Sequence, residues 1–159
     1  MHITIPGKGT FDLHHLVLDV NGTVAVGGRL IDGLPRRLQA LREGGLQIHW
    51  ITADTRGRQA ALDEEMGWPA VRISAADAVG EPAQKADFVR KLGAAHAIAI
   101  GNGANDVDML RQAALGIAVI GPEGLDLEAL LAADLVVSDI HAALDVIQDP
   151  DRLIATLRR

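Results

Sequence analysis

Short, nearly continuous apolar runs alternate along the chain with stretches in which apolar residues recur every three or four positions. Leu16 to Leu18, Leu46 to Ile51, Ala70 to Ile73, Ala97 to Ile100, Ile117 to Ile120 and Leu135 to Val137 are runs of the first kind. Runs this short and this apolar predict strands covered on both faces, as in a parallel sheet. Leu34, Leu38 and Leu41 share one helical face, and Gly44-Gly45 predicts the end of that helix. Further helices are predicted over Arg56 to Met66, Pro82 to Leu92 with Gly93 as its stop, Asp106 to Ala114 and Leu125 to Ala132. The stretch from Ile140 onward predicts helix with a break near Pro150. Ahead of these, Ile3 to Ile5 and Phe11 to Leu13 flank Pro6-Gly7-Lys8-Gly9 and predict a hairpin, and Thr23 to Ile31, interrupted by Gly27-Gly28, predicts a small flap. Strands alternating with helices imply an α/β fold with a doubly wound parallel sheet.

Composition narrows the function. With 159 residues, nearly half of them apolar, the chain is expected to form one domain around one core. It has no cysteine, which excludes a disulfide framework, a thiol nucleophile and a zinc–thiolate site, and fits a reducing cytoplasm. A net charge of −6 without a long basic run argues against a nucleic-acid partner. No apolar stretch is long enough for a membrane span, and Met1-His2-Ile3-Thr4-Ile5 lacks the regions of a signal peptide, so no membrane partner is expected. Aromatic residues are too scarce for a stacking platform.

The candidate chemistry lies where strands end. Asp19, Thr52 and Asn102 each sit at or just past the end of a predicted strand. In open α/β sheets, ligands bind at the carboxyl ends of strands, so three residues far apart in sequence fall on one rim. A carboxylate there can attack a phosphoryl group and form an acyl phosphate. That attack brings anions together, and a hard divalent cation on oxygen ligands, Mg²⁺ above all, offsets the charge. Asp19 and Asp106 offer carboxylates, Thr52 a hydroxyl for a phosphate oxygen, and Lys85 a fixed positive charge. The N–H groups of Ala53 and Asp54, if they open the following helix, suit an anion.

The order and type of these residues resemble the haloacid dehalogenase (HAD) superfamily of phosphatases and phosphotransferases. Its first motif, Asp-x-Asp-Gly-Thr, reads Asp19-Val20-Asn21-Gly22-Thr23 here, and its second, a strand ending in Thr or Ser, reads Trp50-Ile51-Thr52. The third is a helix-opening lysine, Lys85, and the fourth, Gly-Asp-Gly-x-Asn-Asp, reads Gly101-Asn102-Gly103-Ala104-Asn105-Asp106. The first and fourth motifs are also similar to those of the P-type ATPase phosphorylation domain, which carries Thr two places after the nucleophile. The resemblance implies a Rossmann-like core and an Asp19 nucleophile. It implies Mg²⁺ held by Asp19, the Asn21 backbone carbonyl, Asn102 and Asp106, and a phosphoryl group bound by Gly22, Ala53, Thr52, Lys85 and Asn105.

Two positions depart from the family pattern. Asn21 stands where most family phosphatases have the aspartate that protonates the leaving group and activates water, a contribution of roughly 10²–10⁴-fold. Asn102 replaces a charged metal ligand by a neutral oxygen. Three readings follow: a slow phosphatase for good leaving groups, a long-lived phospho-aspartate, or binding without turnover. Both asparagines precede glycine, a pairing open to deamidation that would restore aspartate.

Other polar residues have plainer roles. Arg56 and Arg58 read as a solvated helix face, His49 as a packed strand histidine, Trp50 and Trp68 as core, and Asp12, Asp54 and Asp77 as caps or turn residues. His14-His15 and His141 have no partners at metal-ligand spacing, so no histidine metal site is expected. Family members usually insert a cap domain after the first or second motif. Val24 to Ile51 and Ala53 to Gln84 are too short for a folded one, so a capless core is expected. An open site needs water excluded from elsewhere, by a large phosphorylated substrate or by a homo-oligomer, with the hairpin and Val24-Ala25-Val26 as candidate interface elements.

Overall fold

A computed structural model of the chain describes residues 1–54, 57–74 and 78–159. The chain opens with a hairpin of β1 (His2–Ile5) and β2 (Gly9–Asp12), then enters β3 (His15–Asp19). The flap follows as β4 (Ala25–Val26) and β5 (Arg29–Leu30). Next come α1 (Leu34–Glu43), β6 (Gln47–Thr52), α2 (Gln59–Met66) and β7 (Val71–Arg72). After α3 (Glu81–Leu92) the chain runs through β8 (Ala97–Gly101), α4 (Val107–Gln112), β9 (Leu115–Val119) and α5 (Leu127–Ala132). It closes with β10 (Leu135–Val137), α6 (Ile140–Gln148) and α7 (Pro150–Leu157), Pro150 occupying the first turn, where its missing N–H costs nothing.

Among the described residues, six strands form one parallel sheet in the order β10-β9-β8-β3-β6-β7. The chain winds outward from β3 through β6 to β7, then returns to the other side of β3 for β8, β9 and β10. The order therefore reverses between β3 and β8, and a crevice opens beyond the carboxyl ends of those strands.

Both faces of the sheet are covered, which is why its strands read as continuous apolar runs. Leu16, Leu18, Trp50, Ile98 and Ile100 pack toward the apolar faces of α1, α6 and α7, together with Ile3 and Ile5 of the hairpin. Val17, Ala97 and Ala99 face the other way, against Val89 of α3, Met109 and Leu110 of α4 and Ala129 of α5.

Several element boundaries differ from the expectation. The helix predicted from Arg56 starts at Gln59, because Asp54 takes a left-handed conformation (φ 47°) and its Oδ1 accepts the Arg58 and Gln59 N–H groups, capping the helix there. Arg56 itself, like Asp77, lies outside the described residues. The helix predicted to Ala114 ends at Gln112, and β9 starts two residues earlier than expected. The Ala114 N–H is drawn to the Ala94 carbonyl (2.9 Å) and the Gly116 N–H to Asp134 Oδ2 (3.0 Å), which turns the backbone into the sheet.

Candidate active site

Asp19 is the last residue of β3, Thr52 the last of β6, and Asn102 follows β8 directly, so the crevice at the switch point holds the expected residues. Lys85 reaches it from α3, which starts at this rim as it leads back toward β8. Lys85, Ala86 and Val89 form the buried face of that helix, so the lysine sits one turn in, against the strand ends. Its ammonium is fully buried and donates to Asp19 Oδ1 at 2.6 Å and Asp106 Oδ1 at 2.8 Å, with Glu81 Oε1 3.3 Å away. The other Asp106 oxygen accepts the Asn102 and Gly103 N–H groups, both at 2.9 Å. Asp106 thus ties the fourth-motif loop to Lys85 and, through it, to Asp19.

Two glycines make this approach possible. A Cβ at Gly101 would lie 2.5 Å from the Asp106 carboxylate. A Cβ at Gly22 would lie 2.6 Å from the Asn102 amide, and Gly22 has φ +84°, which side chains disfavour. The Gly22 N–H is bonded to the Ala25 carbonyl at 2.8 Å, so this residue's contribution to the crevice is the space it leaves rather than a free donor.

Thr52 is buried, and its hydroxyl oxygen accepts the Asp54 N–H at 3.0 Å, which leaves the hydroxyl proton for another acceptor. The expected pair of free N–H groups at a helix start is not there: α2 begins five residues later and the Asp54 N–H is spent on Thr52. Ala53 does line the cleft, together with Asn21, Glu81, Asn102, Gly103, Asn105 and Glu123, around a volume of about 270 Å³. Glu81 and Glu123 are additions that the sequence did not suggest. Glu81 lies one helical turn before Lys85, a spacing that could have marked it. Its Oε1 accepts from Asn105 Nδ2 at 2.7 Å, so it occupies the amide expected to meet a phosphoryl group.

Burial pushes the Asp19 carboxyl up to about 7, the Asp106 charge adds to the rise, and Lys85 opposes it. For Lys85, burial works against the charge, but the two aspartates win and hold it firmly protonated. Three carboxylates facing one ammonium leave the crevice with excess negative charge. Together with the Asn102 amide oxygen and the strand-end carbonyls, this donor set is all oxygen and suits a hard divalent cation.

The Asn102 side chain is held in place. Asn102 Oδ1 accepts from the Thr23 hydroxyl (3.2 Å) and its Nδ2 donates to the Gly124 carbonyl (3.2 Å). Deamidation needs the following glycine nitrogen to attack the side chain. The Gly22 N–H is committed to Ala25, and the Gly103 N–H to Asp106. The fold thus opposes the conversion that the two Asn-Gly pairs invite.

The remaining polar residues separate into two groups. His49 is half-buried between His15 and the edge of Phe88, and burial lowers its pKa. Trp50 is core and Trp68 lies under the Arg42 guanidinium, 4.5 Å from its ring centre. Arg58 lies alongside Gly28 of the flap. Asp12 is neither a cap nor a turn residue but part of β2, and His14 is not without partners. Asp12 Oδ2 and His14 Nε2 are 3.0 Å apart, and His96 joins them from 82 residues along the chain. Of the flap residues expected at an interface, Val24 and Ala25 are buried in the chain's own core, and Val26 is partly buried. Among the described residues, no helix is long and apolar enough to cross a membrane, and the gaps after the first and second motifs hold no folded insert.

A model of the haloacid dehalogenase-like hydrolases matches residues 2–114. Over 61 residues the chain is 52% identical to an uncharacterized protein of Methanocaldococcus jannaschii, a segment covering 38% of this chain and 66% of that protein. Over 101 residues it is 34% identical to a probable copper-exporting P-type ATPase of Archaeoglobus fulgidus, covering 63% of this chain and only 12% of the ATPase. In fold it is similar to the 3-deoxy-D-manno-octulosonate 8-phosphate phosphatase of Moraxella catarrhalis, solved with magnesium, phosphate and KDO. The TM-score is 0.64 at 20% identity, over 92% of this chain and 94% of that one. With the family model spanning most of its length, and Asp19 at the switch point of a doubly wound sheet, the chain belongs to the haloacid dehalogenase-like hydrolases.

Proposed function

We propose that the chain is a Mg²⁺-dependent phosphohydrolase that acts through an aspartyl-phosphate on Asp19 and is slowed by Asn21 and Asn102. What carries this reading is the position of Asp19, a buried carboxylate at the switch point, 2.6 Å from a buried lysine. In the first step an Asp19 oxygen attacks phosphorus, a phosphorus–oxygen bond to the leaving group breaks, and the phosphoryl group moves to the carboxylate. In the second, water attacks that phosphorus and restores Asp19. Lys85 offsets the charge of the phosphoryl group, Thr52 donates to one of its oxygens, and Asn105 does so with the amide hydrogen that Glu81 leaves over. Mg²⁺ on Asp19, the Asn21 carbonyl, Asn102 and Asp106 would supply charge neutralisation at the transferring group.

Asn21 cannot move a proton, so the leaving group departs unassisted and water arrives without a base. Substrates with good leaving groups are therefore favoured, and a phosphorylated small molecule fits the open cleft. The same lack of a base prolongs the phospho-aspartate, which supports a second reading as a slow phospho-acceptor, in line with the P-type ATPase relatives.

The test is intact-mass analysis after incubation with Mg²⁺ and acetyl phosphate, beside Asp19→Asn. A phosphate adduct on the wild type alone is expected, and its decay rate separates phosphatase from phospho-acceptor. No adduct, together with no phosphate release above the variant, would overturn both readings.

A further inference from the structure

At the opposite end of the sheet, three chain segments bring imidazoles and a carboxylate together. His14 and His96 immediately precede β3 and β8, which pair side by side with His15 in register with Ala97. The His14 N–H donates to the His96 carbonyl at 2.8 Å. The β1–β2 hairpin sets His2 directly across from Asp12. Asp12 Oδ2 lies 3.0 Å from His14 Nε2, and Asp12 Oδ1 lies 4.0 Å from His2 Nδ1. All these positions are fixed by backbone pairing rather than by side-chain packing.

We propose that Asp12, His14 and His96, with His2 within reach, form a binding site for a borderline divalent cation such as zinc, separate from the catalytic rim. Donor atoms of Asp12, His14 and His96 all lie within 4.8 Å of one another. Two ligands on one tetrahedral zinc sit roughly 3.3 Å apart, so the gap closes by small rotations of exposed side chains. His96 is already oriented: its Nδ1 donates to the Asp12 carbonyl at 2.7 Å. That bond fixes the tautomer and leaves the Nε2 lone pair free, the arrangement in which a metal-ligating histidine is held by an outer partner. Two or three imidazoles with one carboxylate suit zinc, nickel or cobalt, whereas Mg²⁺ prefers oxygen ligands throughout. The cation would replace the proton between His14 and Asp12 and pin the hairpin to the sheet. The site stands a strand's length from Asp19, roughly 16 Å at about 3.3 Å per residue, so it is independent of the phosphoryl chemistry.

The test is a zinc titration in excess Mg²⁺, read by long-range ¹H–¹⁵N spectra of the imidazoles and by calorimetry. The His14 and His96 resonances are expected to shift together at one equivalent, while those of His15, His49 and His141 stay. The His14→Ala/His96→Ala pair should lose at least about tenfold in zinc affinity, and Asp12→Asn should weaken binding, while Asp19→Asn leaves it unchanged. Zinc should raise the melting temperature of the wild type and not of the double variant. No shift of His14 and His96 at millimolar zinc, or unchanged affinity in the double variant, would overturn the proposal. The spectra on unaltered protein keep the test open should the double variant fail to fold.

Discussion

Glu81 places a carboxylate where the site is expected to receive an anion. It holds the Asn105 amide at 2.7 Å and adds a third negative charge beside Lys85. Replacing it by glutamine removes that charge while keeping a hydrogen-bond acceptor. Glu81→Gln should therefore bind inorganic phosphate several-fold more tightly, as measured by calorimetry, and unchanged or weaker binding would show that Glu81 does not compete with the anion. Asn21 makes the opposite case, a missing carboxylate. Asn21→Asp should raise turnover of a phosphomonoester by roughly 10²–10⁴-fold, since it supplies the proton transfer that an amide cannot. A rate that stays flat would mean that the neutral Asn102, or the cleft itself, limits the reaction instead. The Asn21 effect follows from the first motif alone, whereas Glu81 enters through the helical turn that sets it beside Lys85, a spacing that marks it only once Lys85 is placed in the site.

Among the elements, α6 shows most directly how a single side chain holds a helix end. Asp139 Oδ1 accepts the Ala142 N–H at 2.9 Å, and Ser138 Oγ donates to Oδ2 at 2.8 Å. These bonds, the Ala142 one foremost, hold the Asp139 carboxyl below the usual carboxylate range. A depressed pKa in the fold means that this stabilisation is fully present above the unfolded value of about 4 and is lost as pH falls through the folded one. Asp139→Ala should cost about 1 kcal/mol at pH 7 by urea denaturation, and the difference should shrink toward pH 3. A cost that stays constant with pH would place the effect in packing rather than in the cap. Nothing in the residue pattern singles out Asp139, whereas Asp54 reads as a cap or turn residue and does hold the start of α2, but from a left-handed position outside the helix, so that the helix begins later than the pattern predicts.

On the scale of the molecule, the open cleft and the exposed apolar side chains bear on the same question. Leu127 and Leu131 on α5 are 74% and 79% exposed, and Ile120, just past β9, is half exposed. The loop leading into α5 is bonded to the site, the Asp126 N–H donating to the Asn102 carbonyl at 2.9 Å. Self-association through this face would bury apolar surface next to the rim. Light scattering should give a mass above that of one chain at micromolar concentration, and Leu127→Glu/Leu131→Glu should return a single-chain mass. A wild type that scatters as one chain would remove the oligomer from the account.

The periodicity of the chain by itself determined the alternation of strands and helices, because a strand buried on both faces has to be continuously apolar and a helix beside it has to be apolar on one side. It also determined that Asp19, Thr52 and Asn102 share a rim, since strand ends of a parallel sheet all point one way. Only the tertiary structure decided which strands neighbour which, and so that the order reverses between Asp19 and Asn102. It alone decided that Glu81 enters the cleft and that Asp12, His14 and His96 meet. Contacts of this kind join residues up to 84 positions apart. Nothing local encodes them, because they arise from strand pairing and register, which are set by the packing of the whole sheet.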